Sequence, residues 1–121
     1  MAALLPSIIL VVVGLGIAVS AWLFREGKIK RNYLLGIRVS SLMASDAAWY
    51  AGHQAAAPWL LVAGSVAVVA GIASMYVDSS ASGTVLLAGV GLMLVAVVVA
   101  TVVAVMTVKR RGLGTGNPAH R

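Results

Sequence analysis

The sequence predicts an all-α membrane protein with three transmembrane helices and a short cytoplasmic interfacial helix, the N-terminus outside and the C-terminus inside. Three observations lead there. Of 121 residues 61% are hydrophobic and only 10% are charged, against about 25% charged in soluble domains. Three runs are apolar for long enough to cross a bilayer, whose core of about 30 Å takes about 20 helical residues. The nine lysines and arginines all fall on one side of those runs.

The first run extends from Leu4 to Phe24. Two readings fit an N-terminal apolar segment, a cleaved signal peptide or a retained helix. Met1-Ala2-Ala3 carries no lysine or arginine, and the run exceeds the roughly 7 to 15 residues of a signal h-region, so a retained helix is expected. The second run covers Pro58 to Tyr76 and the third Thr84 to Val108. None of the three holds a charged side chain, which excludes a proton relay or voltage sensor built within the spans, because both need ionisable groups inside the membrane.

Orientation follows from the cations. Arg25, Lys28, Lys30, Arg31 and Arg38 lie between the first and second spans, and Lys109, Arg110, Arg111 and Arg121 follow the third. Loops rich in Lys and Arg stay cytoplasmic, so residues 25–57 and the tail are expected inside and the 77–83 turn outside. The net charge of +6 is accounted for by topology and by attraction to anionic lipid headgroups. No nucleic-acid-binding motif accompanies it, and nucleic acid is not an expected partner.

The chain has no cysteine and two histidines, His53 and His120, too few for disulfides, a thiol nucleophile or a single-chain zinc site. Phosphate-binding glycine loops, nucleophile elbows and His-Glu-x-x-His are lacking as well. Neither enzyme activity nor a cofactor is expected. Residues 1–112 read as a single three-span domain and 113–121 as a flexible basic tail whose Gly, Asn and Pro content cannot build a core. The turn "YVDSSASG" reads as ordinary polar turn chemistry.

Small residues recur every fourth position, at Gly14 and Ala18, at Ala63, Ala67 and Gly71, and at Ala96, Ala100 and Ala104. Such stripes let helix backbones approach closely in lipid. They suit a tight three-helix bundle and a homo-oligomer equally, and a lipid-facing helix of low bulk also carries them.

The long loop 25–57 holds the informative residues, since long loops without a role are uncommon. Its first part, "REGKIKRNYLLGIRVSSLMA", mixes cations with apolar residues and is expected against the membrane. Its second begins with Ser45, an N-cap, and Asp46, whose charge complements a helix dipole. A helix is expected from about 45 to 57, ending before Pro58. Asp46, Trp49 and His53 share one of its faces. Two readings compete for that face: an aromatic belt of Trp49, Tyr50 and Trp59 at headgroup level with Asp46 and His53 in water, or a polar cluster of Asp46, Trp49 and His53 with Asn32 and Arg38.

The run "NYLLGIRVSSLMASDAAWYAGH" resembles the signature of the SdpI family of small multi-spanning bacterial membrane proteins, named for an immunity protein against a secreted peptide toxin. The matching positions are Asn32, Gly36, Ile37, Arg38, Ser45, Asp46, Trp49 and His53. Val39-Ser40 stands where members usually have Thr-Pro, and Leu42 where the next threonine falls. The resemblance implies a multi-pass protein of the bacterial cytoplasmic membrane, without known catalysis, that acts by binding. Immunity to a membrane-active peptide, or another envelope role, is the activity it suggests. In that setting Asn32, Gly36, Arg38, Ser45, Asp46, Trp49 and His53 are the candidate motif residues, with Arg38 paired to Asp46 as a structural clasp or to a phosphate or carboxylate ligand. Two alternatives remain open: an accessory subunit docked on a larger membrane protein, and a homo-oligomeric channel or carrier, for which uncharged spans offer no selectivity groups.

Overall fold

The computed structural model describes residues 4–32, 36–37 and 40–113. Four helices follow one another: α1 (Leu4–Arg25), α2 (Ser40–Met43), α3 (Asp46–Tyr76) and α4 (Ser79–Arg110). The three longer ones are long and apolar enough to cross a membrane, and no strand occurs among the described residues. Helix α1 keeps the expected span. Pro6 sits in its first turn, where the missing N–H has no intrahelical partner to lose. Gly27, at φ +68°, closes its end in a Schellman turn, with Gly27 N–H donating to Phe24 O and Lys28 N–H to Leu23 O. Gly112, at φ +66°, ends α4 the same way, over Lys109 O and Val108 O.

Two boundaries differ from the sequence reading. No separate helix stops at Ala57: α3 runs unbroken through Pro58. Proline in a water-exposed helix interior costs about 3 kcal/mol, but spanning helices tolerate it. Here Pro58 and Gln54, whose carbonyl it leaves without a helical donor, are both exposed, so the defect faces away from the packed side. Helix α4 starts at Ser79 rather than Thr84, leaving Val77 and Asp78 as the whole connection. Backbone bonds from Ala81 and Ser82 to Asp78 O begin it at once. The expected flexible tail lies, beyond Leu113, outside the described residues.

The helices do not form a three-way bundle. Helix α3 packs along α1 on one side and α4 on the other, while α1 and α4 barely touch. Both pairs are antiparallel. The hydroxyls of Ser7 and Ser74 share a hydrogen bond of 2.5 Å at one end of the α1–α3 pair, and Phe24 meets Trp49 and His53 at the other. The small-residue stripes are the contact surfaces: Gly14, Ala63, Ala67, Gly71, Ala96, Ala100 and Ala104 are all buried. Contact between α1 and α3 is backbone on backbone. A Cβ on Gly14 would lie 2.7 Å from Gly64 O, and one on Gly64 would lie 2.6 Å from Gly14 O.

Helices α3 and α4, of 31 and 32 residues, measure about 47 Å, some 17 Å more than the hydrocarbon core. Helix α1 has 22 residues and ends level with His53, so the first two turns of α3 rise past it. Described loop residues, Ile29 and Ile37 among them, and α2 pack into this step. Leu42 of α2 is fully buried there against Gly52, which also faces Val108 of α4.

The close approach makes neighbouring glycines inequivalent. Gly14→Ala collides with Gly64, whereas a Cβ on Gly16 meets nothing within 4 Å. Thermal unfolding in detergent micelles is expected to show Gly14→Ala destabilised by about 1–3 kcal/mol. Gly16→Ala should be unchanged or stabilised by up to about 1 kcal/mol.

Candidate functional site: an aromatic and histidine clasp on the 26–45 loop

At the step, three rings stack in the gap between α1, α3 and the loop. Trp49 and His53 are one helical turn apart on α3, with ring centroids 4.0 Å apart. Phe24, in the last turn of α1, lies 4.4 Å from the His53 ring and meets Trp49 edge-on at 6.1 Å and 69°. All three side chains are buried, Trp49 and His53 to within 1% of completely. Trp49 is therefore a core residue rather than part of an aromatic belt. Trp59 is 42% exposed, as a belt residue would be, and Tyr50 is half-buried against the same core.

The polar atoms of the rings tie down the loop. The Trp49 indole N–H donates to Ile29 O at 2.9 Å. The backbone N–H of Ile37 donates to His53 Nε2 at 2.8 Å, so Nε2 carries no proton. Nδ1, 2.8 Å from Trp49 O, then holds the ring hydrogen and donates it. Both nitrogens are engaged, which makes this imidazole a buried acceptor for the loop backbone. Between the two tethers lies Gly36, at φ +108°. A Cβ there would fall 2.7 Å from Trp49 Cη2 and 2.8 Å from His53 Nε2. Only glycine suits both the dihedral and the space.

A third tether is ionic and exposed. Arg31 donates through an Nη to Met43 O at 2.9 Å, and its Nε lies 3.4 Å from Asp46 Oδ1. With Asp46 75% exposed, the pair is of the surface kind, which contributes about 0–1 kcal/mol. Ser45 caps α3 as expected, accepting from Ala48 N–H at 3.0 Å. Asn32 donates to Lys30 O at 2.6 Å and folds the loop on itself.

Of the seven candidate residues, the structure brings Gly36, Trp49 and His53 together, places Ser45 and Asp46 at the start of α3, and leaves Asn32 within the loop. Arg38 lies outside the described residues, and with it the expected pairing to Asp46. Phe24, Ile29 and Arg31 complete the site without having been candidate residues in the sequence, and Ile37, a position of the family signature, joins them through its backbone N–H. Phe24 had one signal, being the only phenylalanine in the chain and closing the first span.

Removing the acceptor tests the clasp. His53→Ala leaves the part-buried Ile37 N–H without its acceptor, a cost of about 1–1.5 kcal/mol. Trypsin cleavage at the exposed Lys28, Lys30 and Arg31 is then expected to quicken about ten-fold in micelles while helicity is retained. Gly36→Ala should do the same. Wild-type digestion rates in both variants would refute the clasp.

Comparison with protein families finds a match to the model described as the SdpI/YfhL protein family, over residues 28–108. No curated protein and no solved structure matches the chain. The matched stretch takes in the loop tethers from Lys28 onward, all of α3 and nearly all of α4, with α1 outside it. With about two thirds of its length matched, this small membrane protein belongs to the SdpI/YfhL family.

Proposed function

We propose that the chain is a multi-pass protein of the bacterial cytoplasmic membrane that acts by binding, without catalysis, and that it protects the cell from a membrane-active peptide or serves a related envelope role. The clasp is the observation that supports this reading. A loop held by its backbone to buried rings at the surface end of a rigid helix pair is a preformed recognition surface, with little ordering entropy left to lose on binding. Its cations, Lys28, Lys30 and Arg31, are exposed, and Lys28 Nζ is held 4.6 Å above the Trp22 ring. Immunity is the role expected from the family's namesake.

The proposed topology puts that surface in the cytoplasm and the α3–α4 connection outside, with every cation before Lys109 and after Phe24 on the inner face. The cysteine-free chain suits labelling at introduced thiols. Ser80→Cys is expected to react in intact cells with a maleimide that cannot cross the membrane, and Ser40→Cys only after permeabilisation; the reverse pattern would invert the topology.

Protection is tested in a deletion strain challenged with membrane-active peptides. Re-expression of the wild-type chain should restore survival, and His53→Ala at equal membrane abundance should not. Equal killing of the deletion and re-expressing strains by every peptide, with one larger membrane protein co-purifying at fixed stoichiometry, would replace this reading with an accessory subunit.

A further inference from the structure

On the seam between α1 and α3 lies a crevice of about 200 Å³, lined by Ala21, Trp22 and Arg25 of α1 and by Ala57, Pro58 and Leu61 of α3. The two alanines are buried and the other four residues are exposed. Small side chains thus form its floor and larger ones its rims. Among the lining residues Arg25 alone is charged. Helix α1 has 22 residues, about 33 Å, which matches a hydrocarbon core of about 30 Å. Arg25, its last residue, therefore stands at headgroup level. Leu61, more than two turns beyond His53 along α3, lies about 12 Å deeper than the clasp. The crevice starts beside charge and descends into hydrocarbon.

The charge at its mouth has no protein partner. Among the described residues the one ion pair joins Arg31 to Asp46, and no hydrogen bond engages the Arg25 guanidinium. A second cation reaches the same place: Lys28 Nζ sits 4.6 Å above the ring of Trp22, which is a wall of the crevice. Glu26 is the one acid in the segment 25–31. Its N–H bonds to Trp22 O and so extends the helix past Arg25, which turns Glu26 about 100° round the axis from it. With no carboxylate supplied by the chain, a phosphate is the group that the planar fork of Arg25 fits.

We infer that this crevice binds one anionic phospholipid, its phosphate held by Arg25 with Lys28 beside it, and the upper part of an acyl chain lying against Trp22, Pro58 and Leu61. A phospholipid meets both halves of the site, an unpaired guanidinium at headgroup level and apolar walls running from it toward mid-bilayer. The site stands whether or not the protein acts on a peptide; only its assignment to the cytoplasmic leaflet rests on the topology proposed above.

The test compares cations that differ only in place. The full chain is released from micelles containing phosphatidylglycerol and phosphatidylcholine at equal mole fraction, and bound lipid is read by native mass spectrometry. One phosphatidylglycerol per chain is expected, favoured over phosphatidylcholine about ten-fold. Arg25→Gln should cut that preference about five-fold. Lys109→Gln, which removes the same charge from an exposed position at the end of α4, should leave it at the wild-type value. Trp22→Ala should lose the lipid with an unchanged melting temperature, and Trp59→Ala, at an exposed tryptophan outside the crevice, should keep it. Excess glycerol 3-phosphate, which lacks acyl chains, should not displace it. Equal retention of the two lipids by the wild-type chain, or an equal fall in Arg25→Gln and Lys109→Gln, would mean annular lipid drawn by net charge and overturn the site. Displacement by glycerol 3-phosphate would overturn it in favour of a soluble anion, and a wild-type dimer that Trp22→Ala converts to monomer in favour of a contact between copies.

Discussion

Helix α3 meets its neighbours at backbone distance, and the other features of the protein follow from that constraint. In lipid no hydrophobic drive gathers helices, so association rests on dispersion and on how near two backbones can come. Gly14 and Gly64 face each other with no room for a methyl group on either, Gly71 abuts Ser7 O, and Gly89 faces Ala70 across the α3–α4 seam. One helix lined with small residues on two sides takes a partner on each and leaves those partners apart. The result is a row of helices rather than a closed bundle, and its enclosed polar groups, the Ser7 and Ser74 hydroxyls and the His53 ring, lie in the α1–α3 seam and at its end.

Unequal helix lengths then create the site. Helix α1 stops level with His53 while α3 continues to Asp46, and the exposed inner face of those extra turns must be covered. The covering segment brings backbone donors and acceptors that require partners. Trp49 and His53, whose rings are mostly apolar and whose nitrogens are polar, satisfy both needs at once. They pack on Phe24 and they hold Ile29 O and Ile37 N–H.

The spans and their small-residue stripes were legible in the sequence because hydrophobicity and fourfold spacing are local properties. Pro58 misled for a physical reason: the rule that proline ends helices reflects a penalty that a spanning helix with an exposed Gln54 carbonyl largely escapes. The 77–83 turn shrank to two residues because its serines and glycine also tolerate a first helical turn. The shared face of Trp49 and His53 was readable from their spacing, but not what they touch. Their partners are a main-chain carbonyl and a main-chain amide, and neither leaves a trace in residue identity. The pairing of Asp46 illustrates the same limit. Arg31 is its partner here, although nothing in the sequence ranks Arg31 above its neighbouring cations.

A row of three helices also differs from a closed bundle in how it can be enlarged. Because α1 and α4 are terminal members that scarcely meet, an added helix could pack on the free edge of either one and leave every existing contact in place. In a bundle the same insertion would pry the core apart. The architecture is therefore modular in one direction, a strip that lengthens in the membrane plane while the loop, its aromatic anchor and the central helix keep their geometry unchanged.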